Sequence, residues 1–148
     1  MARAPHFLTP LLKSDSDGYA FHIEGRDAVL ATTIEPAFDS ASRRKGLLGR
    51  TGLPAGAAIV IAPCNAIHTW FMKFPIDVVF AAKDGRVTRV HHAVKSWRLA
   101  SSFFAFAAIE MAAGEAARVD LKRGDRLVLE RAGTKARSHE VGKTKIQT

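Results

Sequence analysis

Two side chains that could perform nucleophilic chemistry lie near each other in residues 63–80, PCNAIHTWFMKFPIDVVF. Cys64 is the only cysteine of the chain, and His68 stands four positions later. An imidazole beside a thiol promotes the reactive thiolate. In an extended chain these residues would lie about 13 Å apart, whereas a hydrogen bond needs about 3 Å. The pair therefore requires a turn, which Pro63 and Asn65 would favour. The alternative is that Cys64 is a small buried side chain.

Two carboxylates stand among apolar residues and could form an acid–base pair. Asp77 lies in PIDVVF, and Glu110 lies in AAIEMAAG. Two carboxyl groups in contrasting surroundings can act as acid and base. A buried carboxylate is costly unless it is paired or hydrogen-bonded. For Asp77 the structural alternative is therefore an anchor for a turn or helix end, with Lys73, Arg50 or backbone amides as partners.

A polar set within aromatic strands is a third candidate, and it is typical of ligand pockets. If residues 68–74 form a strand, His68, Trp70, Met72 and Phe74 share one face. We expect no cofactor, and no metal either, because Cys64 and His68 supply only two of the three or four ligands that a zinc site needs. The predicted ligand-binding residues are Cys64, His68, Trp70, Lys73, Asp77 and Glu110.

Short strands must position these side chains, because apolar residues alternate with polar ones or form short runs along most of the chain. The predicted strands are residues 19–25, 28–34, 57–63, 68–74, 107–113 and 126–130, with a further hairpin in 76–92. Asp84 and Gly85 suit a type I′ turn in that hairpin. Residues 93–106 are predicted to form a loop that carries aromatic side chains.

Two short helices complete the predicted fold. The first covers 35–54, where Pro36 would occupy the first turn and Asp39 or Ser40 would act as the N-cap. The second covers 114–121. These elements indicate an α+β, mainly β fold with a compact barrel-like or strongly curved antiparallel or mixed sheet, which would hide its strand edges. The alternative is an open sheet with both helices on one face.

The length of 148 residues suits one domain. We predict an irregular arm at 1–17, a domain at 18–130 and a basic tail at 131–148. The net charge is +8, and the tail holds five Lys/Arg and one acid, which is half of the excess. The tail is either simply solvated or attracts a polyanion such as nucleic acid weakly and in a salt-dependent way.

The predicted location is the cytoplasm, without membrane contact. No apolar run approaches the roughly 20 residues of a membrane-spanning helix. The first residues lack the apolar region of a secretory signal, and a single cysteine allows no internal disulfide.

Three blocks, in order along the chain, resemble the DUF192 family of small bacterial and archaeal domains. They are SRRKGLLGRTGLP, IHTWFMKFPIDVVFAAKDGRV and AAIEMAAGEAARVDLKRGDRL, and the resemblance covers about residues 30–130. It implies a compact β-rich domain with short helices. It implies no catalytic residue, because the family has no established activity.

Taken together, the sequence predicts a non-catalytic binding or accessory protein. Its cleft, around His68, Lys73 and Asp77, would take a small polar ligand or a peptide. The alternative is a hydrolase-like enzyme that uses Cys64 with His68 or Asp77 with Glu110. Weak polyanion binding through the tail is the third possibility.

Overall fold

The computed structural model describes residues 5–13 and 17–131, and short strands dominate this part of the chain. The mainly β class is therefore confirmed. The helices are α1 (Thr9–Lys13), α2 (Ser40–Lys45) and α3 (Glu115–Arg118). The strands are β1 (Tyr19–Ile23), β2 (Val29–Ala31), β3 (Thr33–Ala37), β4 (Ala57–Ile61), β5 (Ala66–His68), β6 (Ile76–Ala81), β7 (Val87–Val94), β8 (Leu99–Ser101), β9 (Ala107–Ala112) and β10 (Leu127–Arg131).

A five-stranded mixed sheet with the order β3-β4-β9-β6-β7 forms the centre of the molecule. Strands β3 and β4 are parallel, and the other neighbours are antiparallel. The smaller sheets are β10-β1-β2 and β5-β8. Since the central sheet ends at β3 and β7, the described strands form no closed barrel, and the predicted barrel-like form is not confirmed.

Both faces of the central sheet are buried, because its inner strands β6 and β9 are apolar at every position except Asp77 and Glu110. Alternation along the strands divides their side chains between two hydrophobic clusters. On one face, Val79 packs in a cluster that includes Phe21 of the three-stranded sheet. On the other face, Phe80 packs in a cluster that includes Leu47, which follows α2, Ile67 of β5 and Ala100 of β8.

The helix predicted at 35–54 is wrong in most of its length. Residues 35–37 belong to β3, and the helix itself covers only Ser40–Lys45. Pro36 is tolerated in a strand because β3 lies at the edge of the sheet, where a missing N–H need not break a ladder. Asp39 is the N-cap, and its side chain accepts hydrogen bonds from the backbone N–H groups of Ala41 and Ser42.

The strand predicted at 68–74 is also wrong, since β5 ends at His68 and the chain then turns. His68, Trp70, Met72 and Phe74 therefore do not form one strand face. The predicted loop 93–106 contains β8, which pairs antiparallel with β5. The arm predicted to be irregular contains α1, so the structure has a third short helix.

The hairpin predicted in 76–92 is confirmed as β6 and β7, but its turn is not type I′. Only Gly85 of the two turn residues has a positive φ, at 87°, whereas a type I′ turn needs both. A Cβ atom on Gly85 would collide with the carbonyl oxygen of Leu127, so this position requires glycine. The turn thereby packs directly onto β10.

Asp77 anchors two backbone segments from within the core. It is fully buried. Its Oδ1 accepts a hydrogen bond from the N–H of Ala93 at 2.8 Å, and its Oδ2 accepts from those of Gly114 at 3.1 Å and Ala116 at 3.0 Å. Ala93 lies where two residues of β7 face one residue of β6. This local irregularity is a β-bulge. One carboxylate thus accepts hydrogen bonds from a backbone N–H of the bulge and from two backbone N–H groups at the start of α3.

None of the helices within the described residues is long and apolar enough to cross a membrane. The predicted cytoplasmic location and domain limits stay predictions. The basic tail lies outside the described residues, apart from Arg131 at its first position.

The anchoring role of Asp77 can be tested by Asp77→Asn. The amide keeps the size but replaces one acceptor oxygen with an NH₂ group that faces backbone donors. We expect the free energy of unfolding to fall by about 3 kcal/mol in chemical denaturation. The control is Asp84→Asn, because Asp84 also accepts from a backbone N–H, that of Arg86, but at the surface. An equal and small loss in both variants would contradict the anchor.

Candidate ligand-binding cleft

A cleft of about 650 Å³ opens between α2 and the segment that runs from β4 through β5. Three consecutive basic residues of α2 line one side of it, and they are Arg43, Arg44 and Lys45. Cys64, His68 and Met72 lie on the opposing side, and Glu110 of β9 also borders the space. The fold therefore brings a carboxyl group, an imidazole, a thiol and several cations to one cleft.

Glu110 is the least expected group in the cleft, because it is only 6% exposed. Its Oε2 is buried and has no hydrogen-bond partner within the described residues. Gly46, which ends α2, lies close to the carboxyl group, since a Cβ atom at Gly46 would lie 4.0 Å from Oε2. A buried acceptor without a partner costs free energy, so this carboxyl group is the candidate ligand contact of the cleft.

Burial raises the pKa of Glu110 from 4.5 to about 7, against a smaller opposing effect of Arg50. Arg50 is itself bonded to both carboxylate oxygens of Glu35, at 2.7 Å each. Near neutral pH, the carboxyl group therefore exists in both protonation states. It can donate or accept a hydrogen bond, depending on the group that it meets.

Cys64 and His68 border the same cleft, but no hydrogen bond joins them among the described contacts. The thiol of Cys64 donates instead to the carbonyl oxygen of Ala66 at 3.2 Å. Burial raises the pKa of this thiol and outweighs the opposing effect of the hydrogen bond with Ala66. The thiol is thus held in its neutral form, which is a poor nucleophile.

An aromatic row lies at the protein surface beside the cleft, and it consists of His68, Trp70, Trp97 and Phe71. The ring of His68 stacks on Trp70 at 4.7 Å between centroids, Trp70 lies 6.4 Å from Trp97, and Trp97 meets Phe71 edge-on at 4.7 Å. Phe71 and Trp97 both have positive φ, at 63° and 62°. Bulky residues rarely adopt this conformation, so neighbouring contacts must hold the two segments in place.

Thr69, which is fully buried, supplies those contacts. Its hydroxyl donates to the carbonyl oxygen of Lys95 at 2.6 Å and accepts from the N–H of Arg98 at 2.9 Å. Its backbone carbonyl accepts from the N–H groups of Met72 and Trp97. One side chain thereby ties the turn after β5 to the turn before β8, and this fixes the aromatic row beside the cleft.

The six residues predicted from the sequence separate into three locations. Cys64, His68 and Glu110 line the cleft, and Trp70 stacks beside it. Lys73 is exposed and is not among the lining residues. Asp77 lies on the opposite face of the central sheet.

Asp77 and Glu110 do not form a carboxylate pair. In the antiparallel ladder between β6 and β9, Glu110 faces Val78, whereas Asp77 faces Met111. Opposed residues share a sheet face and successive residues alternate between faces, so the two carboxylates project to opposite sides. Asp77 is also fully engaged by three backbone amides.

The cleft also contains residues outside the predicted site, among them Arg43, Arg44, Lys45 and Met72. The run of basic residues at 43–45 was the available signal for the first three, but an exposed helix face has the same pattern. Among the described residues, no group of three His, Cys, Asp or Glu side chains could hold a metal ion.

Sequence comparison assigns the chain to a family. The DUF192 family, described as "Uncharacterized ACR", matches residues 21–129, so the chain belongs to this family and the predicted resemblance is confirmed. No curated protein matches the sequence significantly.

Two crystal structures share the fold. One is a protein of unknown function from Novosphingobium aromaticivorans DSM 12444, with a TM-score of 0.64 and 23% identity over 73% of this chain and 82% of that chain. The other, from Sinorhizobium meliloti 1021, is described as "a putative transcription regulator" and has a TM-score of 0.65 and 22% identity over 80% of this chain and 97% of that chain. At this level of identity the likeness concerns the fold alone.

Replacement of Thr69 by valine should loosen the aromatic row, because valine keeps the shape and removes the hydroxyl. We expect the free energy of unfolding to fall by about 2 kcal/mol. Acrylamide quenching of tryptophan fluorescence should also increase. Trp70 and Trp97 are the only two tryptophans of the chain, so this signal comes from the row alone. Thr69→Ser keeps the hydroxyl and should resemble the wild type; if both variants behave alike, the hydroxyl does not fix the row.

Glu110 should give the stability of the protein a distinct pH dependence. Its pKa of about 7 in the folded state exceeds the ordinary 4.5. Between these values the native state holds a proton that the unfolded state has lost. The free energy of unfolding should therefore decrease by about 3 kcal/mol as the pH rises from 4.5 to 7, with little further change above.

The measurement is chemical denaturation of wild type and Glu110→Gln across this pH range. The variant should lack this decrease and gain stability relative to wild type as the pH rises. Glu24→Gln, which neutralises an exposed carboxylate, should retain the wild-type dependence. A parallel pH dependence of wild type and Glu110→Gln would show that Glu110 is not buried as described.

Proposed function

We propose that this protein binds a small polar ligand in the cleft between α2 and the β4–β5 segment, without transforming it. The observation that carries the proposal is the carboxyl group of Glu110, which is buried, lacks a partner for Oε2 within the described residues and faces the cleft. Natural proteins satisfy most buried polar atoms, and a bound ligand would satisfy this one. The volume of about 650 Å³ falls within the usual range for small-molecule sites.

The charges of the cleft indicate the chemistry of the ligand. Arg43, Arg44 and Lys45 along one side favour an anionic group, and arginine binds carboxylate or phosphate through paired hydrogen bonds. Glu110, at the buried end, favours a group that donates a hydrogen bond. The ligand class that suits both is a small organic anion with a hydroxyl or amino group, such as a 2-hydroxy or 2-amino acid. An apolar portion of it could pack against Met72 and His68.

Binding is favoured over catalysis by the state of the reactive groups. The thiol of Cys64 is kept neutral and is hydrogen-bonded to a carbonyl oxygen. Asp77, the other predicted acid, serves as a backbone anchor on the other side of the sheet. Glu110 consequently has no carboxylate partner for acid–base work. Polyanion binding through the tail stays a prediction, because the tail lies outside the described residues except for Arg131.

The test is a binding series with small carboxylates, followed by tryptophan fluorescence and by NMR of the labelled protein. Carboxylates with a 2-hydroxyl or 2-amino group should bind at least about tenfold more tightly than the same acids without that group, since a charge-assisted hydrogen bond contributes roughly 1.5–3 kcal/mol. Arg43→Gln should weaken binding by a similar factor. Lys73→Gln, which removes a charge outside the cleft, is the matched control and should leave the affinity unchanged.

Glu110→Leu separates the functional role of Glu110 from a structural one. Because leucine removes an unpartnered buried carboxyl group, this variant should be more stable than wild type at pH 8 and should still lose discrimination between the two kinds of acid. If no carboxylate binds, or if Glu110→Leu binds them all as the wild type does, the proposal is wrong.

A further inference from the structure

A second concavity of about 870 Å³ lies between β7, the loop at 102–104 and the loop at 121–124. We call it the basic groove, and none of its lining residues also lines the cleft. Four of these residues carry a positive charge, and none is an aspartate or glutamate. The four cationic residues are Arg86, Arg89, Lys122 and Arg123.

The positive charges of the groove are poorly compensated. The side chains of Arg86 and Arg123 make no hydrogen bond or ion pair within the described residues, and Arg89 bonds only to a neutral carbonyl oxygen, that of Ser101. Lys122 pairs with Asp120 at 3.2 Å, but both side chains are more than 70% exposed, so the pair is weak. The groove therefore presents a local positive potential that favours an anion with several charges.

Two phenylalanines border the same groove and are unusually exposed. Phe103 is 87% exposed and Phe104 is 78% exposed, and their rings meet edge-on at 5.2 Å. Both follow Ser102, a buried residue whose hydroxyl lies 2.7 Å from that of Thr88 and whose N–H donates to Asn65. The carbonyl of Ser102 then accepts from Ala105, which closes the turn. The aromatic rings thus project from a backbone that is held at both ends.

We infer that the basic groove binds single-stranded nucleic acid. Its arginines and lysine would contact phosphates, and Phe103 and Phe104 would stack on bases. This combination of a cationic groove with aromatic platforms is how proteins hold single strands without sequence preference. A duplex offers phosphates but covers the faces of its bases. A bilayer is flat and does not enter a concavity.

The experiment is fluorescence anisotropy of the full chain with labelled ten-nucleotide oligothymidylate and oligouridylate, across a salt series. Arg86→Gln combined with Arg123→Gln should lower the affinity at least about tenfold at low salt. It should also reduce the slope of log K against log salt by about 1.4, which corresponds to two phosphate contacts on a single strand. Lys13→Gln combined with Lys73→Gln removes the same charge from two exposed positions that line neither the groove nor the cleft, and it should leave the slope unchanged.

Phe103→Ala combined with Phe104→Ala tests the stacking separately. It should weaken binding about tenfold or more without changing the salt slope, because stacking on an aromatic ring contributes independently of charge. Both side chains are exposed, so the variant should fold normally, which circular dichroism would verify. Every variant retains residues 131–148, so any contribution from the basic tail is constant.

Three results would overturn the inference. The groove variants and the lysine control could bind alike, which would place the binding elsewhere, for example in the tail. An unlabelled duplex could compete as well as a single strand at equal phosphate concentration, which would exclude base stacking. Vesicles with anionic lipids could displace the oligonucleotide from wild type but not from the phenylalanine variant, which would identify a membrane surface as the partner.

Discussion

The ladder between β6 and β9 is the constraint on which the rest of the structure depends. Both strands are buried on both faces, and their register sets Val78 opposite Glu110 and Asp77 opposite Met111. Because side chains alternate, this register sends one carboxylate to each face of the sheet. Asp77 meets backbone amides that need an acceptor, and Glu110 borders the cleft beside α2. A slip of one residue in either strand would turn its carboxylate to the other face, so both acids would lie on the same side of the sheet and either the anchor or the cleft would be lost.

The two carboxylates also differ in what they cost the fold. Asp77 accepts three hydrogen bonds and lowers the free energy of segments whose amides would otherwise be unsatisfied. Glu110 is buried with one oxygen unsatisfied among the described residues, which destabilises the protein most when the group is ionised. A buried group that opposes stability is typical of a functional site rather than a core. This contrast between two acids of similar burial is the main reason to locate function at Glu110.

Alternation and short runs of apolar residues were sufficient to predict the inner strands of the central sheet, because the burial of these strands determines their pattern. It failed where a local conformation has no signal in the sequence. Nothing in the letters HTWFM indicates that β5 ends at His68 or that Phe71 has a positive φ. Pro36 suits either a first helical turn or an edge strand, and only the pairing of β3 with β4 decides between them. Likewise, Cys64, His68 and Glu110 could be selected by residue type, but the separation of Asp77 from Glu110 depends on strand register.

The small β5–β8 sheet lies next to both proposed sites. His68, at the end of β5, borders the cleft, and Ser102, directly after β8, borders the basic groove. The strands pair at only three positions, and Thr69 and Ser102 add the hydrogen bonds that hold the ends of the pair. So short a sheet is marginally stable by itself, and its geometry depends on these side-chain contacts. The positions of His68 and Phe103 therefore both depend on the same small sheet.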